Sequence, residues 1–254
     1  MTSAALAAKE LLRRRREDIQ SGRLDEALRP TSIEQAFAIQ NEIIKQSDDT
    51  VGGWKCLLPL DNGNIIVAPI FSQEIQTKSP CYLAADNGLA RVEPEVAFVL
   101  GQDLPSRSEA YSEQEIDEAI AHCHMALELT KSRFEADSGS DYYEMFADCF
   151  INQGMFIGPE IDKATAYDIP RLNIHIRNGG QVESYDGAHP NLSAHKPVYW
   201  LINKMSQRGV GFKKGQAIIT GSYVGLVDLE FDTTYEIEYE GLDKYQVTFA
   251  KVTS

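Results

Sequence analysis

The feature that most limits the fold is a change of texture at Val51. Before it the chain reads as helix: residues 3 to 20 are rich in Ala, Leu, Arg and Glu, and Ser21-Gly22 ends that segment. Pro30-Thr31-Ser32-Ile33-Glu34 then opens a second helix, with Thr31 and Glu34 spaced as a capping box and Ile33, Phe37, Ile39, Ile43 and Ile44 as its apolar stripe. After Val51, short β-rich runs are separated by Gly, Pro, Asp and Asn. Ile65-Ile66-Val67, Val96 to Leu100, Leu172 to Ile176, Ala217 to Thr220 and Tyr235 to Tyr239 are the strand candidates. Two helices interrupt them, one from the capping box Ser112-Glu113-Gln114-Glu115 to about Cys123, the other from Pro197 to Arg208. Strands that do not alternate with helices argue against a doubly wound sheet, so the expected class is α+β. We divide the chain into an N-terminal helical region, residues 1–75, and a mixed β-rich domain, residues 76–254.

A formal charge of −14 argues against nucleic acid as a partner, since phosphate is held by Lys and Arg. Arg13 to Arg16 run against that balance. They read as the solvated face of a helix, with a phosphate or partner contact as the alternative. No apolar run approaches the roughly 20 residues of a membrane span, and no apolar h-region opens the chain, so we expect a cytoplasmic protein without a membrane partner. Cys56, Cys81, Cys123 and Cys149 are scattered and read as reduced thiols. Gly209-Val210-Gly211 follows a helix rather than a strand, which excludes a dinucleotide loop there.

Residues 91 to 101, RVEPEVAFVLG, place Glu93 and Glu95 on one face of a strand, with Val92, Pro94, Val96, Phe98 and Leu100 on the other. Two acids that close converge on a hard divalent cation, raise one another's pKa, or face water. Pro94 donates nothing to a ladder, so the strand is expected at an edge or to begin there. Glu128 lies in the apolar run Met125-Ala126-Leu127-Glu128-Leu129, where an unpaired carboxylate is costly to bury. His122 and His124 are a softer alternative ligand set. Lys55, behind Gly52-Gly53-Trp54 and before Cys56-Leu57-Leu58, either snorkels to the surface or is paired with an anion.

Together these segments resemble the 2-keto-4-pentenoate hydratase and 4-oxalocrotonate decarboxylase branch of the fumarylacetoacetate hydrolase superfamily. The matching stretches are Ala36 to Gln40, Gly53-Trp54-Lys55, Val92 to Leu100, Ala126-Leu127-Glu128 with Ser132-Arg133, Ala147-Asp148, Trp200-Leu201 and Thr220-Gly221-Ser222. The resemblance implies sheets rolled around an active site, with Mg²⁺ or Mn²⁺ held by Glu93, Glu95 and Glu128 against the carboxylate and C2 oxygen of a 2-oxo acid, where it stabilises an enolate. Water addition to a 2-hydroxypenta-2,4-dienoate-like substrate is the expected reaction. Decarboxylation of a 2-oxo-3-enedioate, or a catalytically impaired partner subunit, is the alternative. It further implies a catalytic Lys55, with Glu74 as the nearest acid for the role of its partner, Leu57, Asp148 and Ser222 as substrate contacts, and a homo-oligomer. The chain departs from the family pattern at Glu74, at Lys131 before Ser132-Arg133, at Cys149 in the Ala147-Asp148 segment, and in the longer stretch His189 to His195.

Overall fold

The helices at the N-terminus start where side chains can cap them. In this computed structural model, which describes residues 1–252, α1 (Ser3–Arg16) is capped by Thr2, whose hydroxyl accepts from Ala5 N. In α2 (Ile33–Gln46) the cap is Ser32, one residue later than the sequence suggests. Ser32 is extended and its Oγ accepts from Gln35 N, while Gln35 Oε1 accepts from Thr31 N, so Gln35 rather than Glu34 reaches back, and it does so to the residue before the cap. Phe37, Ile39 and Ile43 are buried as the stripe requires.

The arginine run departs from expectation at two of its four members. Arg14 is 4% exposed and donates to Glu10 and to the carbonyls of Gly22 and Arg133, while Arg15 grips Glu74 with two hydrogen bonds of 2.9 and 2.6 Å. The run bolts α1 to the β domain as well as facing solvent, because successive helical residues point in different directions.

The remaining elements are β1 (Val51–Cys56), β2 (Val67–Phe71), β3 (Ile75–Gln76), β4 (Cys81–Leu83), β5 (Ala90–Leu100), α3 (Glu113–Ala119), β6 (Ile120–Thr130), α4 (Tyr142–Ala147), β7 (Asn152–Ile161), α5 (Lys163–Tyr167), β8 (Arg171–Asn178), β9 (Gln181–Ala188), α6 (Lys196–Ser206), β10 (Ala217–Ile219), β11 (Val227–Leu229), β12 (Thr234–Tyr239) and β13 (Lys244–Lys251). The Ser112/Glu115 capping box forms, but α3 ends at Ala119 rather than Cys123. The β-rich, alternating run from Ile120 instead pairs along the whole of β5.

Two mixed sheets result. The larger runs β2-β1-β10-β5-β6-β7-β3, with β11 added to the start of β5; the smaller runs β4-β13-β12-β8-β9. Strands β1 and β2 thus join the main sheet although they fall within residues 1–75, β3 straddles that boundary, and α2 ends at Gln46. The main sheet rolls far enough that β1 meets β7 across its concave face. A Cβ on Gly53 would lie 2.8 Å from Met155 Cε and 2.5 Å from the Ala217 carbonyl, so only glycine fits there. The concave face holds a small apolar cluster of Ile70, Ala97, Ala126, Met155, Ala217 and Ile219, while the main core lies on the convex side. Tyr239 of β12 joins the two sheets, its hydroxyl reaching the carbonyls of Ala126 (2.8 Å) and Glu95 (3.2 Å). No helix among the described residues is long and apolar enough to cross a membrane.

Pro94 lies in an interior strand, not at an edge. On one side β5 is paired along its length by β6; on the other, β11 covers residues 90–92 and β10 covers 97–99. Proline's missing N–H falls in the gap between them, where the Thr220–Gly225 loop crosses. Tyr223 N and Ser222 Oγ both donate to the Pro94 carbonyl.

Candidate active site

Strand periodicity places the acids on the concave face. Glu93 and Glu95 alternate with the buried Val92, Val96 and Phe98, and Glu93 stands directly opposite Glu128 across the β5–β6 ladder. One carboxylate oxygen from each of Glu93, Glu95 and Glu128 lies within 4.8 Å of the others, the only such group of three or more potential ligands among the described residues. This face is not solvated: Glu128 is fully buried and Glu95 is 2% exposed.

Lys55 reaches the group from β1. Its Nζ donates to Glu128 Oε1 at 2.6 Å and to the Phe150 carbonyl at 3.3 Å. Asn152 Nδ2 donates to the same Glu128 oxygen at 2.9 Å, and Gly221 N donates to Glu95 Oε2 at 2.6 Å. Gly221 has φ 121°, and a Cβ there would come 2.5 Å from a Leu57 methyl, so glycine is what lets the backbone amide approach the carboxylate.

Charge does not balance within this group. Three carboxylates face one ammonium, and Glu128 Oε2, buried, has no hydrogen-bond partner. Burial raises the pKa of Glu93, with the Glu128 charge adding to it, to about 7; burial and then the charges of Glu128 and Glu93 push Glu95 well above the usual carboxylate range. Burial disfavours the Lys55 ammonium, but the carboxylates of Glu128 and Glu93 outweigh it and its pKa rises. An all-oxygen donor set with excess negative charge and an orphaned oxygen fits a hard divalent cation.

The other expected site residues lie differently. Glu74 is held in the bidentate pair with Arg15, and no hydrogen bond joins it to the acid cluster. Both oxygens of buried Asp148 accept from Arg133 Nε (3.0 and 2.8 Å), so its carboxylate is engaged by Arg133. Ser222 Oγ donates to Pro94 and Gly225 carbonyls and accepts from Val224 and Gly225 amides, so it folds its own loop. Leu57 packs beside Gly221, at the edge of the cluster. His122 pairs with Glu160 at an exposed position, and His124 contacts the Gly158 carbonyl. Lys131 pairs with Asp18 at the end of α1. The Phe150 carbonyl and Gly221 N were not anticipated, since a backbone donor or acceptor leaves no mark in a sequence, and the Asn152 side chain was not anticipated either.

No protein-family model matches the chain. By sequence it is 26% identical over 160 residues to a 2-keto-4-pentenoate hydratase of Paraburkholderia xenovorans, a match covering 63% of this chain and 58% of that protein. It is 25% identical over 166 residues to a 2-oxo-hept-4-ene-1,7-dioate hydratase of Escherichia coli, covering 63% and 61%. The match therefore spans about three fifths of these curated relatives. In structure it is similar to 4-oxalocrotonate decarboxylase from Pseudomonas putida G7, complexed with magnesium and adipate, with a TM-score of 0.76 over 97% of both chains at 18% identity. A fumarylacetoacetate hydrolase family protein from Yersinia pestis CO92 gives a TM-score of 0.56 over 80% of this chain and 94% of that one, at 18% identity. The fold is that of the fumarylacetoacetate hydrolase superfamily. Within it, the likenesses of this chain fall in the branch of 2-keto-4-pentenoate hydratases and 4-oxalocrotonate decarboxylases.

Proposed function

We propose that the protein is a divalent-cation-dependent hydro-lyase that adds water to a 2-hydroxypenta-2,4-dienoate-like 2-oxo acid. The observation that carries this reading is the trio of half-buried Glu93 and buried Glu95 and Glu128, with one Glu128 oxygen left without a partner. The sequence likeness to hydratases supports the reaction type. Glu93, Glu95 and Glu128 are the residues that would hold Mg²⁺ or Mn²⁺. When bound, the cation supplies a Lewis acid that favours negative charge developing on the C2 oxygen of the substrate.

The chain's own groups do the rest. Lys55 Nζ, fixed by Glu128 and the Phe150 carbonyl, is placed to orient the substrate carboxylate or to move a proton. The buried concave face excludes bulk water, which strengthens charge interactions there. Leu57 forms an apolar wall beside the Gly221 amide. In this reading Glu74, Asp148 and Ser222 shape the site through Arg15, Arg133 and the Pro94 carbonyl rather than touching substrate. The resemblance further supports a homo-oligomer, which sedimentation velocity checks.

Decarboxylation is the second reading, favoured by the structural likeness to 4-oxalocrotonate decarboxylase along 97% of the chain. Incubating the protein and Mg²⁺ with each substrate separates the two: water addition consumes 2-hydroxypenta-2,4-dienoate without releasing CO₂, whereas a 2-oxo-3-enedioate releases CO₂ if decarboxylation is the activity. Turnover of neither, against the roughly 1 s⁻¹ or more of an ordinary enzyme, would leave a non-catalytic partner subunit.

A further inference from the structure

Cys149, Phe150 and Ile151 are three consecutive residues with φ of 59°, 47° and 60°. None is Gly, Asn or Asp, and Ile151 is β-branched, the type for which the left-handed region is a true outlier. Such strain persists where the surroundings over-determine the backbone, and it concentrates at functional sites.

The Phe150 ring packs on Phe146 and Tyr142, and the backbone on either side of it is gripped by one buried guanidinium. Arg133, 2% exposed, spends Nε on the Asp148 carboxylate, Nη2 on the Asp148 carbonyl, and Nη1 on the carbonyls of Lys131, Ile151 and Asn152. Lys131 N donates to the Ile151 carbonyl from the same side. The turn is thus gripped at the residue before it, at its last residue and at the residue after it. A planar fork of five donors suits this task, and a lysine ammonium does not.

What the turn presents is specific. The Lys55–Glu128 pair makes two other side-chain hydrogen bonds: Lys55 Nζ to the Phe150 carbonyl, and Asn152 Nδ2 to Glu128 Oε1. Both come from the left-handed turn or the residue that follows it. Asn152 is itself oriented, its Oδ1 accepting from Gly154 N.

We propose that Arg133 and Asp148 are positioning residues for the Lys55–Glu128 pair. They hold the Cys149–Ile151 turn in its strained form so that the Phe150 carbonyl and the Asn152 amide fix the ammonium and the carboxylate relative to each other. Neither Arg133 nor Asp148 touches the pair. The role of this geometry in turnover rests on the proposed lyase reading; the geometric claim itself does not.

The test uses Asp148→Asn and Arg133→Lys, with Ile39→Ala, a core truncation in α2, as a control that costs stability away from the turn. The first readout is the rate at which Lys55 is acylated by acetic anhydride in metal-free folded protein at one pH, followed by peptide mass spectrometry. Release of the turn is expected to raise that rate about tenfold in both clamp variants and to leave it unchanged in Ile39→Ala. The second readout is kinetic: kcat is expected to fall roughly 100-fold with KM within about threefold, as for a misplaced catalytic group. If Arg133→Lys does not fold, Asp148→Asn, which keeps the side-chain volume, decides alone. A Lys55 acylation rate equal to wild type in folded Asp148→Asn, or an equal rise in Ile39→Ala, overturns the proposal. A wild-type protein without turnover defeats the lyase reading instead, and the acylation result still stands on its own.

Discussion

Lys55 Nζ lies 2.6 Å from Glu128 Oε1, and the other oxygen of that buried carboxylate has no partner. One side of Glu128 is neutralised by the protein, and the other is left for something positive. Removing one member of a buried ion pair costs about 3–5 kcal/mol, because the survivor is stranded. Lys55→Met should therefore lower the melting temperature markedly in chelator, and added Mn²⁺ should raise it more in the variant than in wild type. Turnover in Lys55→Met should fall by about 10² to 10⁴, the range for loss of a positioned proton-transfer group. Calorimetry with and without Mn²⁺ checks the first part, and a steady-state assay the second.

The acids set a pH dependence whose sign follows from their environment. Burial, then the Glu128 charge, raises Glu93 from its ordinary 4.5 to about 7 in the folded protein, and Glu95 shifts in the same direction. Between those values the folded chain binds more protons than the unfolded one, so this contribution to stability is fully present below about 4.5 and is lost as pH rises through about 7. Melting curves of metal-free protein from pH 5 to pH 8 should show stability declining, and saturating Mg²⁺ should flatten the decline. A rise in stability across that window without metal would contradict the assignment.

Glu74 gives a prediction of the opposite kind. Its carboxylate is partly exposed but its partner, Arg15 of α1, is mostly buried, so Glu74→Gln should cost about 1–3 kcal/mol, the range for weakening a hydrogen bond to a charged group. Turnover should stay within about threefold of wild type. A loss of 100-fold or more would restore Glu74 to the chemistry.

Tyr239→Phe tests how the second sheet supports the site. The hydroxyl adds a hydrogen bond to the carbonyls of Glu95 and Ala126, which are partners in the β5–β6 ladder, and its loss should cost about 1 kcal/mol. Denaturant unfolding should show a lower midpoint with an unchanged slope.

The site was legible in the sequence where side-chain periodicity governs it. Alternation along β5 put Glu93 and Glu95 on one face, and the apolar run around Glu128 marked a carboxylate in need of a partner. Lys55 behind two glycines was the other half of that pair, although the sequence left its anion open. Pro94 was misread because an edge and a gap in an interior strand look alike along the chain; the gap is made by β10 and β11, more than 120 residues away. The left-handed turn at Cys149–Ile151 was invisible because no glycine, asparagine or aspartate advertises it, and the Arg133 side chain and Lys131 amide that hydrogen-bond around it lie outside it in the sequence. Arg14 and Arg15 were hidden in a run of identical residues whose directions only the helix distinguishes.

The most direct test is metal removal and return. Protein stripped with chelator and then dialysed should show no consumption of 2-hydroxypenta-2,4-dienoate, should regain it on addition of Mg²⁺ or Mn²⁺, and should not regain it in Glu95→Gln. Full turnover in chelator, or full recovery in Glu95→Gln, would contradict the account.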